Sequence, residues 1–287
     1  MPARVGFSID SRQGLAHPDE ARLVRLAAEL GYQSAWTPSG PDAAAFDTCL
    51  RWYRESGLPT GISVVPAAGQ PVAFYAGHAR RLWEETAGTF TLGIGSGQMD
   101  HAAQAMRVYV PELRALLPQG LPLFLAALGP RMLALAGALA DGVALNWCTP
   151  EQVAWSRSQV VEAARRAERP TPRLIEYVRT CVDPDPRLAR RTLGSAALVY
   201  ALGPPAYRRH FERMGLAQEL RRLEREAGEP GKEFIAAAGA AGPPGAVRVQ
   251  FERLSAGLDE SIVRVLVTRQ GDAQSAERVL RECAPGA

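Results

Sequence analysis

Short apolar runs and amphipathic stretches alternate along almost the whole chain. Arg4 to Ile9 predicts a strand, Pro18 to Leu30 a helix, Ser34 to Thr37 a strand, Phe46 to Glu55 a helix, Gly61 to Val65 a strand and Pro71 to Glu85 a helix. The alternation continues with strand Thr89 to Ile94 and helix Ala102 to Leu116. PLFLAALGPRMLALAGALADGVALNWCTPE, from Pro122 to Glu151, then spells one complete βαβ unit. Leu123 to Ala127 is the kind of run that a parallel strand buries on both faces, and Gly129-Pro130 turns the chain into a helix. Helix Glu151 to Ala167, strand Arg173 to Val182, helix Pro186 to Val199, strand Ile262 to Val267 and a last helix follow. Eight strands, each followed by a helix, predict a (β/α)8 TIM barrel of class α/β, with its site at the carboxyl ends of the strands. The less regular segment 203–245, with PPAYRRHFERMGL, a short Arg/Glu helix and AAAGAAGPPGA, reads as an insertion between strands seven and eight. It predicts either a lid or oligomer surface, or simply extra surface helices.

The 287 residues suit a single domain, 1–287, and no shift of composition divides them. The formal net charge of +3 comes from arginines spread among Glu and Asp along helices, with Lys232 the sole lysine. With no basic stripe interleaved with aromatics, a nucleic-acid function is disfavoured. Cys49, Cys148, Cys181 and Cys283 form no CxxC pair and have no histidine at ligand spacing, which predicts reduced structural thiols and no metal. No leader precedes the first strand and no apolar run reaches about 18 residues, so the expectation is a soluble cytoplasmic protein without a membrane partner.

Candidate chemistry gathers at predicted strand ends. Pro130 suits a first helical turn, where the free amides of Arg131 and Met132 and the helix dipole predict an anion or phosphate site. In FTLGIGSGQMD, Gly93, Gly95 and Gly97 leave one strand face bare, which admits either a flat ligand or a neighbouring backbone. The spacing is not that of a dinucleotide fingerprint. Proton-donor candidates are Asp10, His17, Ser39, Asp42, Gln98, Asp100 and His101. His101 leads, because an imidazole is the usual proton-transfer group near neutral pH and this one follows a Gly-rich strand end. Asp10, Asp42 and Asp100 equally suit turns and caps. His78 and His210 lie on helical segments and are assigned no chemistry, while Trp147 fits a pocket wall or a hydrophobic seam.

LGYQSAWTPS, GISVVPA with PVAFYAGHARRL, TLGIGSG, AALGPRMLALAGALADG with TPE, PAYRRHFERMGL and GLDE occur in an order that resembles the bacterial luciferase-like superfamily. The resemblance covers nearly the whole chain and lies within a branch of probable coenzyme F420-dependent oxidoreductases. It implies a deazaflavin, F420, or alternatively FMN, at the barrel mouth, and a homodimer. It also implies a non-prolyl cis peptide behind the ring, which falls here between Ser63 and Val64. By position, Gly129, Pro130 and Arg131 would meet the phosphate, Gly95, Ser96 and Gly97 would lie along the ring and its chain, and Asn146 and Thr149 would supply polar contacts. The acidic cofactor tail would find Arg131, Arg165 and Arg166.

The chain departs from the family's sugar-phosphate dehydrogenases, which end strand two with a histidine where WTPSGPD places Gly40, and carry an acid where this chain has Gln98. The expected reaction is therefore hydride transfer to an activated C=C or C=N bond of a small organic substrate, which demands only a proton donor. His101, Gln98 and Ser39 are the candidate catalytic residues. A reduced-flavin monooxygenase is the alternative enzyme, and a noncatalytic barrel that binds or assembles is the alternative outside catalysis.

Overall fold

The computed structural model describes residues 4–97, 99–226 and 228–286. Eight parallel strands close into a barrel: β1 (Arg4–Ser8), β2 (Ala35–Thr37), β3 (Thr60–Pro66), β4 (Phe90–Gly95), β5 (Leu123–Ala126), β6 (Gly142–Asn146), β7 (Arg173–Val182) and, last in the chain, β9 (Glu260–Val265). Closure is made by β9, which runs beside β1 from Arg4↔Glu260 to Ser8↔Arg264 and beside β7 from Ile175↔Glu260 to Thr180↔Val265. Helices α1 (His17–Glu29), α2 (Ala44–Ser56), α3 (Val72–Glu85), α4 (Ala102–Leu116), α5 (Pro130–Leu139), α6 (Pro150–Arg166) and α7 (Pro186–Ala201) cover the outer face. Proline at the first turn of α5, α6 and α7 sets φ for the helix where no amide partner is lost.

The segment between β7 and β9 holds more structure than the sequence predicts. It folds into α8 (Pro205–Phe211), a single π turn over Glu212–Leu216, α9 (Ala217–Arg225), α10 (Lys232–Ala238), a short strand β8 (Ala240–Gly242) and α11 (Val247–Leu254) before β9. Helix α12 (Ala273–Glu282) ends the chain. Thr180 pairs with both Val265 and Ala240. Because one strand residue meets its two neighbours on opposite sides, β8 continues the sheet on the β6 side of β7, beyond the end of β6. Trp147, Leu193, Phe211, Leu220 and Phe234 form a hydrophobic cluster of their own that anchors the segment to the barrel.

The barrel floor is plugged. Trp36, Phe124, Ala144, Ile175, Tyr177 and Ile262, from five strands, pack together inside it. Beneath them Glu260, which is 1% exposed, accepts hydrogen bonds from Trp36 Nε1 at 2.7 Å, from the Ser34 hydroxyl, and from Arg173 Nη2 at 2.8 Å. The large rings fit because their neighbours have no side chain: a Cβ on Gly61 would come within 2.4 Å of the Trp36 ring, and one on Gly142 within 2.4 Å of the Phe124 ring. Gly61→Ala is therefore expected to destabilise the fold by about 1–3 kcal/mol through overpacking. Gly40→Ala, where a Cβ meets open space, is expected to be near neutral, and guanidinium unfolding of the two variants checks the contrast.

Candidate active site

With the floor closed, open space remains at the carboxyl ends of the strands, in a cavity of about 910 Å³. Its walls bring together Ser39, Ser63, Val64, Gly95, Ser96, Gly97, Asp100, His101, Gly129, Pro130, Arg131 and Asn146, all of which the sequence nominates. Gln98 lies outside the described residues. Thr149 does not line the cavity: its hydroxyl accepts from Gln152 N at 3.3 Å and caps α6. That is the ordinary use of a threonine before Pro-Glu at a helix start.

The peptide bond between Ser63 and Val64 is cis. Here two residues of β3 oppose one of β4, since Ile62 pairs with Leu92 but Val65 pairs with Ile94. The bulge explains the bare face of β4. A Cβ on Gly93 would strike the Ile62 carbonyl, and one on Gly95 would come within 2.8 Å of Val64 Cγ2. Close passage of β3, rather than approach of a flat ligand, thus sets the need for these two glycines, although Gly95 also lines the cavity.

At the other end Gly129 opens α5 with no side-chain cap, so the first amides of the helix face the cavity rim unclaimed. Arg131 stands beside them, and Arg209 and Arg213 come from the inserted segment. Arg165 and Arg166, nominated for the same role, instead lie at the carboxyl end of α6 and pair with Glu162, away from the cavity. Arg213 donates to the Leu128 carbonyl at 2.5 Å and to His210 Nδ1 at 3.3 Å. His210 is fully buried and its Nε2 donates to the Trp147 carbonyl at 2.8 Å. Burial lowers its pKa to about 4, leaving a neutral ring that holds Arg213 in position. Trp147 lies in the hydrophobic seam, with a left-handed backbone (φ 57°).

The donor candidates separate by partner. Asp10 is buried among Arg264, Arg12 and the turn amide of Arg12. Burial alone would raise its pKa, but the two arginines hold it below the usual carboxylate range, which makes it an anchor and not a proton source. Asp42 accepts from Ala44 N, in keeping with a turn role. Ser39 and His101 keep their place on the cavity wall, His101 exposed and left-handed at φ 47°.

Three side chains that sequence reading missed come from β7 and α8. Arg179 is buried, on the same strand face as Ile175 and Tyr177. Its guanidinium donates to Asn146 Oδ1 and to the Tyr177 carbonyl and lies 3.8 Å over the Trp147 ring. Tyr207, from α8, lines the cavity. Glu176 points out of the barrel, fully enclosed, with Oε1 accepting from Cys148 N at 2.6 Å and Oε2 without a partner. Burial pushes Glu176 up to about 8. Among the described residues no His, Cys, Asp and Glu side chains gather into a metal-holding group, and no helix is long and apolar enough to cross a membrane.

A closed (β/α)8 barrel with a large, partly cationic cavity at its carboxyl mouth defines a small-molecule barrel of the kind that carries enzymes. A model of the luciferase-like monooxygenase family matches residues 79–260, and the chain belongs to that family. Solved structures share the whole fold. The chain superposes on a coenzyme F420 dependent tetrahydromethanopterin reductase from Methanopyrus kandleri with a TM-score of 0.75, at 17% identity over 98% of each chain. An F420-dependent secondary alcohol dehydrogenase in complex with an F420-acetone adduct gives a TM-score of 0.75 at 14% identity, over 99% of this chain and 100% of that one. The oxygenating constituent of 3,6-diketocamphane monooxygenase from Pseudomonas putida, solved with FMN, gives 0.64 at 14% identity, over 100% and 99%. No curated protein matches the sequence significantly.

Glu176 generates a pH-dependent prediction. Between its unfolded pKa of about 4.3 and its folded value of about 8, the folded protein holds one more proton than the unfolded chain. Its contribution is fully present below the unfolded pKa and is lost as pH rises toward the folded one. Glu176→Gln is expected to flatten the fall of stability between about pH 5 and pH 8. Denaturant midpoints across that range check it, and equal slopes for variant and parent would refute it.

Proposed function

We propose that the protein is an F420-dependent oxidoreductase that transfers hydride from the reduced deazaflavin to an activated C=C or C=N bond of a small organic substrate. The observation that carries this reading is the polarity of one cavity. An apolar wall at the Ser63–Val64 bulge faces, across the mouth, an uncapped helix start flanked by Arg131, Arg209 and Arg213. A tricyclic ring with a phosphorylated, acidic tail fits that division, and about 910 Å³ accommodates it. When bound, the reduced cofactor supplies the hydride.

The remaining work falls to the chain. Val64 and Pro66, from β3, and Gly95, Ser96 and Gly97, from β4, all line the cavity and would hold the ring. The Arg131 and Met132 amides and the Arg131 guanidinium would hold the phosphate at the α5 dipole. Arg209 has no ion pair among the described residues, which suits it to the acidic tail that F420 carries and FMN lacks. Ser39 and His101 stand on the wall as proton donors from the loops after β2 and β4. The resemblance of the barrel to F420-dependent structural neighbours supports the same reading.

Side-by-side titration with F420 and FMN, followed by fluorescence or calorimetry, is the test. The expected result is micromolar or tighter F420 binding with weaker FMN binding. Arg131→Ala is expected to weaken both by about tenfold, and Arg209→Ala to weaken F420 alone. Preference for FMN would move the protein to oxygen chemistry, and binding of neither would sink the proposal.

A further inference from the structure

A buried cation without a carboxylate stands directly behind the cavity wall. Among the described residues Arg179 makes no ion pair, and its guanidinium contacts only neutral acceptors and aromatic faces. Arg264, close by, is balanced by Asp10. Burial lowers the pKa of Arg179 to about 10, which leaves it charged at neutral pH. An unbalanced buried charge is costly, so it persists where something exploits its field.

The field has a directed outlet. Because Arg179 can only donate, the Asn146 amide must turn its oxygen toward the guanidinium and its nitrogen away. Asn146 Nδ2 then donates to the Tyr207 hydroxyl oxygen at 2.8 Å. Tyr207 lines the cavity, and among the described residues nothing accepts its own proton. Burial raises its pKa, with Asn146 and Arg179 pulling the other way, so at neutral pH the phenol keeps its proton to donate. Hydrogen bonds in such a chain polarise one another, and a hydroxyl that accepts from an amide backed by a cation is a stronger donor.

We propose that Tyr207 is the hydrogen-bond donor that holds a substrate oxygen in the cavity, with Asn146 and Arg179 as its positioning residues, and that the substrate class is an α,β-unsaturated carbonyl compound. This assignment of substrate rests on the hydride-transfer reading; the oxygen site itself does not. In the reduction, the β-carbon would gain its C–H bond from the hydride that the reduced cofactor would supply when bound. The C=C electron pair shifts to the carbonyl and leaves negative charge on its oxygen, where Tyr207 donates. Ser39 or His101, on the cavity wall, supplies the proton that completes the α-carbon. A donor aimed at the atom where charge develops acts on the transition state more than on the ground state.

The experiment titrates the full chain, without cofactor, with 4-nitrophenol, whose oxygen mimics that of an enolate and whose absorbance reports its ionisation. The parent is expected to bind the phenolate in preference to the phenol and so to lower the pKa of the bound 4-nitrophenol. Tyr207→Phe, which keeps the ring, is expected to lose the ionisation shift and to bind about tenfold more weakly, with an unchanged far-ultraviolet circular dichroism spectrum. Asn146→Ala is expected to reduce the shift while leaving Tyr207 in place. An equal affinity and shift in Tyr207→Phe, or no binding by the parent, overturns the proposal. Since no cofactor is present, failure to bind F420 in the separate titration would remove the hydride-transfer reading and leave the Tyr207 result standing on its own.

Discussion

The buried carboxylate of Glu260 is the knot on which the barrel depends. It draws the Trp36 indole, the Ser34 hydroxyl and the Arg173 guanidinium to one point, and so ties β2, β7 and β9 at the end of the barrel opposite the cavity. A carboxylate that is 1% exposed is tolerable only with such partners, because desolvation would otherwise dominate. With Trp36 fixed there, the ring fills the lumen over Gly61, and Phe124 completes the plug over Gly142. The consequence is functional: a filled floor leaves the carboxyl mouth as the place where the barrel can admit a ligand.

The barrel itself was legible because parallel strands buried on both faces read as short apolar runs, as LPLFLAA and DGVALN do. Strand β8 was not legible. AAG has neither β-branched nor aromatic side chains, and its strand geometry comes from pairing with the exposed edge at Thr180–Val182, a tertiary cause. The β4 glycines were legible as an anomaly, but their reason lay in the β3 bulge that crowds them. Thr149 shows the reverse error, since a cap signal was present in the TPEQ string and a ligand role was carried over from family position.

Arg179 and Tyr207 mark a different limit. Strand alternation in RLIEYVRTCV puts residues 175, 177 and 179 on one face, so an arginine inside the barrel could have been read from parity alone. What parity cannot supply is the partner. Asn146 is on β6 and Tyr207 on α8, so the Arg179–Asn146–Tyr207 chain exists only after the insertion has docked. The arginine-rich α8 reads as solvated surface in sequence, yet His210 on it is fully enclosed.

That docking decides what the insertion is. A lid that opens freely would be drawn from the weakly packed part of the molecule. Here Phe211 and Phe234 stack at 5.6 Å within the cluster around Trp147, and His210 is bonded to the Trp147 backbone. The segment that carries Tyr207, Arg209 and Arg213 is therefore a fixed wall of the cavity. A neutral histidine suits this task better than a charged one, because its Nδ1 lone pair accepts from Arg213 while its Nε2 proton engages the Trp147 carbonyl. The same ring thus fastens the wall to β6 and aims a cation at the α5 rim, so that positive charge reaches the cavity from both the insertion and the strand ends beneath it.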